Sequence, residues 1–179
     1  TLYFASNMPG TLGSSDLFKV SINDDGSFGT PVNLGGKINT PGRETFPFIS
    51  ENNELYFASD GLLGLGGLDV FATKFLDNGS HSKVYNVGSP INSEFDDFAY
   101  LINSETKYGF FSSNRASGMG YDDIYKFKED KTLPFDCEQK IEGIITDVKT
   151  GAIIANAKVI LFDKDHMELS TTTSDEKAY

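Results

Sequence analysis

The sequence predicts an all-β chain assembled from a repeat of about 53 residues, and three observations carry that prediction. Leu2-Tyr3-Phe4-Ala5-Ser6 returns as Leu55-Tyr56-Phe57-Ala58-Ser59 and, more loosely, as Gly109-Phe110-Phe111-Ser112-Ser113, at offsets of 53 and 54 residues. Ten residues after each of these serines stands an aspartate (Asp16, Asp69, Asp123) that opens a second apolar run. No long stretch carries apolar residues at helical spacing. A period of this size, made of short aromatic strands and glycine loops, marks radial or stacked β architectures, in which each unit buries its faces against its neighbours.

The elements follow in order. The first run is apolar throughout in Leu55-Tyr56-Phe57-Ala58, as expected of a strand covered on both faces. A loop follows that keeps Asn7, Asp60 or Asn114 after the serine, and an apolar residue with a glycine at one depth: Leu12-Gly13, Leu65-Gly66, Met119-Gly120. The aspartate then begins Asp16-Leu17-Phe18-Lys19, Asp69-Val70-Phe71-Ala72 or Asp123-Ile124-Tyr125-Lys126. A third block matches Gly35-Gly36-Lys37-Ile38-Asn39-Thr40 with Gly88-Ser89-Pro90-Ile91-Asn92-Ser93. The strand before the aromatic one matches Phe46-Pro47-Phe48-Ile49-Ser50 with Phe98-Ala99-Tyr100-Leu101-Ile102. In the best-preserved copy this gives four strands near 46–50, 54–59, 68–75 and 84–88. Asn52-Asn53 and Asp77-Asn78-Gly79-Ser80 supply the turns. Four antiparallel strands per repeat of 40–50 residues make the blade of a β-propeller, so residues 1–128 are expected to form about two and a half blades of an incomplete propeller.

Composition shifts after that point. Lys128-Glu129-Asp130-Lys131-Thr132-Leu133-Pro134 is charged and ends in proline, and residues 129–138 read as a linker. Ile141 to Asp147 and Ala157 to Phe162 then alternate around a turn at Thr150-Gly151, and Ser170 to Thr173 begins a third strand.

Two resemblances rest on these residues. Phe46-Pro47-Phe48-Ile49-Ser50-Glu51-Asn52-Asn53-Glu54-Leu55-Tyr56-Phe57, with the later Asp-(Ile/Leu/Val)-(Tyr/Phe), resembles the TolB-type, WD-like propeller repeat. The family's usual Pro-Asp-Gly turn is replaced here by Glu51-Asn52-Asn53. Gly143, Asp147, Thr150-Gly151, Ala157 and Val159, closing on Ser174-Asp175-Glu176-Lys177-Ala178-Tyr179, resemble the carboxypeptidase regulatory-like domain; Ala178 stands where that family has glycine. This second resemblance implies that 139–179 belong to an Ig-like β-sandwich, incomplete at this length. Both modules therefore read as parts of a longer chain. Propeller followed by this sandwich is similar to the OmpA-family, PorE-like proteins of Bacteroidetes. That resemblance implies a periplasmic, outer-membrane-associated scaffold of type IX secretion or gliding. Its partners would be PorP/SprF-like membrane proteins, and peptidoglycan held by a domain outside this chain.

Bulk properties and motifs narrow the function classes. A net charge of −11 argues against nucleic acid, which calls for a basic stripe. No run approaches the length of a membrane helix. No Gly-x-Ser-x-Gly elbow seats a nucleophile, and no Gly-x-x-x-x-Gly-Lys loop cradles phosphate. His81 and His166 have no ligand-spaced partner, so no enzyme is expected. The single Cys137 reads either as an inert thiol or as half of a disulfide to a cysteine elsewhere. Asp16, Asp69 and Asp123 read as turn locks that accept backbone N–H bonds. No cofactor is expected, calcium being the one ion such Asp-rich glycine loops could hold, with Asp122 and Asn23-Asp24-Asp25-Gly26 as further carboxylate sources. The loops 7–15, 60–68 and 114–122 should form a rim. Met8, Leu62, Leu63, Arg115 and Tyr121 differ between otherwise matching copies, which makes them the candidate binding residues. Two other readings compete with the scaffold: a propeller gating a serine peptidase, and a propeller that binds carbohydrate or peptide.

Overall fold

A computed structural model describes residues 1–116, 118–135, 143–164 and 166–176. Those residues are all-β, with no helix among them. The chain divides into two compact units, Thr1–Asp136 and Cys137–Tyr179.

The first unit holds three antiparallel sheets, one per repeat. The first contains β1 (Leu2–Ser6), β2 (Asp16–Val20) and β3 (Val32–Asn33), in that order. The second contains β4 (Glu44–Ile49), β5 (Glu54–Ser59), β6 (Asp69–Lys74) and β7 (Tyr85–Asn86), again in sequence order. The third has only β8 (Asp97–Ile102), β9 (Tyr108–Ser113) and β10 (Asp123–Lys128), with β9 in the middle.

Strand alternation builds the core. On β5 and β6, Leu55, Phe57 and Phe71 point to one face and join Leu17 and Ile38 of the first repeat. Tyr56, Val70 and Ala72 point to the other and join Tyr100, Ile102 and Phe111 of the third. The second sheet is thus apolar on both sides because it is packed on both sides. Aromatic pairs tie the repeats together: Tyr3 with Phe75 at 5.5 Å, Phe46 with Phe98 at 4.9 Å, and Tyr56 with Tyr100 at 4.6 Å, all stacked. The phenols of Tyr56 and Tyr100 are pushed well above their usual pKa, mainly by burial and then by nearby carboxylates, so both stay neutral.

The tight turn at Asn52-Asn53 closes with Asn53 N–H on the Ser50 carbonyl, Asn53 taking a positive φ of 60°. The turn at 77–80 closes with Gly79 N–H on the Leu76 carbonyl. The fourth strand near 84–88 is shorter than expected, only Tyr85–Asn86, because the Asn86 side chain accepts Gly88 N–H at 2.7 Å and bends the chain away. One correspondence shifts by a residue. Glu44 pairs with Ser59 and Asp97 with Ser113, and both β4 and β8 bulge just beyond. The bulges place Phe46 and Ala99 at positive φ of 50° and 52°. Phe46 therefore corresponds to Ala99, not Phe98; matching aromatic letters across a bulge slips the register by one.

Residues 129–135, read from sequence as linker, pack back on the first unit. Tyr85 Oη donates to the Pro134 carbonyl at 2.7 Å, and Phe135 is buried edge-on against the Tyr85 ring at 5.7 Å.

The second unit contains one hairpin, β11 (Lys158–Phe162) with β12 (Glu168–Thr173). The strand expected from Ile141 to Asp147 is reduced to a single bridge, Thr146 with Ile153, among the described residues. Ile141 and Glu142 lie outside them, as do Cys137 and Lys177 to Tyr179. The β12 residues are all exposed, as are four of the five in β11. Among the described residues of this unit, no second layer covers the ribbon's apolar face. The Thr150-Gly151 turn is locked by Asp147, whose carboxylate accepts both Lys149 and Thr150 N–H. The Thr150 hydroxyl donates to it as well, and that bond first, then the two N–H bonds, hold its pKa below the usual value.

Candidate functional site

The loops read as a rim do lie at one end of the three sheets. Ser59 pairs with both Glu44 and Asp69, so loop 60–68 and the crossover 34–43 emerge at the same end. Hydrogen bonds chain these loops together. Ser14 N–H donates to the Gly42 carbonyl at 2.8 Å, Arg43 N–H to Asp60 Oδ1 at 2.6 Å, Leu68 N–H to Asp96 Oδ1 at 2.8 Å, and Asp96 N–H to Asn114 Oδ1 at 2.9 Å. The recurring glycines make the close approach possible. A Cβ at Gly13 would sit 2.2 Å from the Gly42 carbonyl oxygen, and one at Gly66 would sit 2.1 Å from that of Phe95.

The recurring aspartates face inward. Asp16 accepts Leu12 and Gly13 N–H and the Asn33 side-chain amide. Asp69 accepts Leu65 and Gly66 N–H, and Asp123 accepts Gly120 N–H. Each carboxylate pins its own loop, as an Asx-type lock does. Asp69 Oδ1 is buried without a partner, but the described residues include no group of three or more His, Cys, Asp or Glu placed to hold a metal. The Asn23–Gly26 stretch is a hairpin turn, in which Ser27 hydrogen bonds hold the Asp25 pKa down. His81 spends its ring nitrogen on the Ser82 carbonyl and Thr73, and His166 takes a positive φ of 61° in the second unit.

Sequence comparison missed a second set of buried acids and amides. Glu44, fully buried, accepts Thr40 N–H and Oγ1 at 2.8 and 2.6 Å and Ser59 Oγ at 2.7 Å. Asp97 takes the same place in the third repeat, accepting Ser93 N–H and Oγ. Thr40-x-x-x-Glu44 and Ser93-x-x-x-Asp97 recur at 53 residues, a signal that the one-residue slip concealed. Asn39 and Asn92 are likewise buried, clasping the main chain of Leu17 on β2 and of Val70 on β6.

The five candidate rim residues separate on this framework. Leu63 and Tyr121 are each 95 % exposed. Met8 is half-buried, its N–H on Ser6 Oγ. Leu62 turns inward against the Leu17–Phe57 cluster. Arg115 is fully engaged: it bonds Asp97 Oδ1 at 2.5 Å, Ser113 Oγ at 3.0 Å and the carbonyls of Pro90 and Ile91, and lies 5.0 Å over both the Phe111 and Tyr125 rings. Aspartate is one methylene shorter than Glu44, and Arg115 spans the difference. The rim also presents Leu12, Leu65 and Met119, which recur at one depth in all three loops and are exposed in each. The Leu12 and Leu65 N–H groups serve the aspartate locks, while Met119 precedes the Gly120 that does so in the third loop. The rim is therefore apolar at the tips, with hydrogen-bonded acids beneath.

No protein family, curated protein or solved structure matches this chain.

Proposed function

We propose that the chain is a non-catalytic scaffold whose three sheets are blades of a propeller, with the loop tips at one end docking a protein partner. The observation that carries this reading is the row of exposed apolar tips: Leu12, Leu65 and Met119 at matching positions of three successive loops, with Leu63 and Tyr121 exposed beside them. Apolar side chains held out in series on a hydrogen-bonded frame suit protein docking, where a few large anchors supply most of the binding. The sequence resemblance supplies the setting: a periplasmic, outer-membrane-associated complex of secretion or gliding, with the second unit as part of a regulatory-like sandwich and PorP/SprF-like membrane proteins as partners.

The test is reconstitution with such a membrane protein, comparing the native chain with a Leu63→Ser, Leu65→Ser, Met119→Ser, Tyr121→Ser variant. Binding should weaken by more than about tenfold while the thermal midpoint of unfolding stays nearly constant, since these side chains bury little. Undiminished binding by the variant, or none by the native chain, would refute the reading.

A further inference from the structure

We propose that a cleft between the second and third sheets binds a neutral saccharide, whose hydroxyl groups are read by Tyr100 and Glu129. The proposal goes beyond the docking rim and uses none of its tip residues.

The cleft has a volume of about 470 Å³, and its walls come from three stretches of the first unit. One wall is the crossover from Val87 to Ile91. The second is Tyr100 of β8 with Phe127 of β10, and the third is the segment from Lys128 to Pro134. The volume lies within the roughly 300–1,000 Å³ of small-molecule sites. Val87, Ile91, Phe127 and Leu133 all pack on the cluster that joins Tyr56 and Val70 of the second sheet to Tyr100 and Phe111 of the third. The cleft therefore lies between two packed sheets, not on the outer face of one. Its third wall is pinned at both ends. Glu129 N–H donates to the Lys107 carbonyl at 2.8 Å and its carboxylate pairs with Lys107 Nζ at 3.2 Å, while Tyr85 Oη holds the Pro134 carbonyl at 2.7 Å. The site is thus preformed.

Tyr100 marks it as a place for a ligand. The residue is only 5 % exposed, and its ring is stacked between Tyr56 at 4.6 Å and Phe127 at 4.8 Å. Only the ring edge, which carries the hydroxyl, is left to line the cleft. The Tyr56 and Tyr85 hydroxyls donate to Glu54 and to the Pro134 carbonyl, whereas Tyr100 Oη makes no hydrogen bond among the described residues. Burial first, then the Glu129 and Glu54 carboxylates, raise its pKa, so the phenol stays protonated. It is a nearly buried donor without an acceptor, and such groups are completed by something bound.

Glu129 decides the chemistry of that group. Its carboxylate is near enough to act on the Tyr100 phenol, and Lys107 engages only its Oε2. A group placed between the two must accept from the phenol and donate to the carboxylate. A hydroxyl does both. An ammonium only donates, and a carboxylate or ionised phosphate only accepts and is repelled by Glu129. The lining charges balance, Lys128 and Lys131 against Glu129 and Asp130, so the cleft favours no ion. Val87, Ile91, Phe127 and Leu133 offer apolar surface for the C–H face of a ring. Hydroxyl groups on a ring with apolar faces are what a saccharide presents.

The probes are cellotriose, maltotriose and triacetylchitotriose, each titrated into the isotope-labelled 179-residue chain to about 10 mM, enough to saturate a site with a Kd of about 1 mM. At least one should give saturable chemical-shift changes centred on the Val87 and Ile91 methyl groups and the Lys128–Leu133 amides. Tyr100→Phe keeps the stacked ring and removes only the hydroxyl, so it should weaken that binding by about three- to tenfold while the unfolding midpoint stays nearly constant. The quadruple serine variant of the rim should bind the sugar as tightly as the native chain. The proposal is overturned by no saturable change with any of the sugars, by changes centred away from the cleft, by undiminished binding in Tyr100→Phe, or by loss of binding in the rim variant.

Discussion

Replacing Asn92 with alanine tests the central structural claim, that one buried amide fastens the crossover after β7 to β6, as Asn39 fastens the one after β3 to β2. Asn92 is 1 % exposed and serves the Val70 N–H at 2.8 Å and the Val70 carbonyl at 2.9 Å. Val70 is itself fully buried beside Tyr56 and Phe111, so water has no ready route to either group. Truncation strands the buried Val70 N–H, while the Val70 carbonyl keeps the Val87 N–H at 3.2 Å; one buried unpaired group costs about 1–3 kcal/mol. For a urea slope of about 2 kcal/mol/M, the unfolding midpoint of the first unit falls by about 0.5–1.5 M. Tyrosine fluorescence reports the transition, since the chain has eight tyrosines and no tryptophan. Asn23→Ala, at an exposed turn, is the control and should stay within about 0.5 kcal/mol. A loss at Asn92 below about 0.5 kcal/mol would refute the reasoning, because the clasp would then be replaceable by solvent.

Further outcomes follow from the same frame. Arg115→Ala should destabilise by about 3 kcal/mol, as it leaves the fully buried Asp97 carboxylate without its counter-ion, and Arg115→Lys should recover only part, lacking the planar fork; thermal unfolding measures both. Gly66→Ala should cost several times more than Gly143→Ala, because a Cβ meets the Phe95 carbonyl at 2.1 Å in the first case and open space in the second; urea unfolding for Gly66 and expression yield for Gly143 check this. Tyr56 and Tyr100 have raised folded-state pKa values, so their contribution is level below about pH 10, where both states are protonated. Above it the unfolded state alone ionises, and stability should fall by up to about 1.4 kcal/mol per pH unit for each tyrosine. Tyr56→Phe should flatten that fall, and an unchanged alkaline slope would exclude this origin.

Much of the fold is legible in the sequence. The Leu55–Ser59 strand, the aspartate that opens β6 and the turn at Asn52-Asn53 are local signals, each set by residues within one loop or strand. The site was legible only in part. Recurrence separates what repeats from what varies, and by that rule Arg115 and Leu62 looked available while Leu12, Leu65 and Met119 looked structural. Arg115 instead answers Asp97, 18 residues earlier, and Leu62 turns into the core, while the recurring apolar tips stand in solvent. A varying residue can compensate a variation elsewhere, and a recurring one can be kept for its backbone.

By itself the sequence determined the all-β class, the 53-residue period and the loop-locking aspartates, because those depend on strand preference and short-range hydrogen bonding. The tertiary structure decided which polar groups meet. Asn92 and Val70 are 22 residues apart, Ser59 and Glu44 are 15 apart, and a bulge at Phe46 shifts the register that would otherwise align their strands. It also decided that Leu17 and Val70 are buried while Ile124 is exposed, although each follows a loop-locking aspartate: the first two meet apolar residues of the next repeat. Burial is a property of contacts between distant segments, and only the folded chain specifies those.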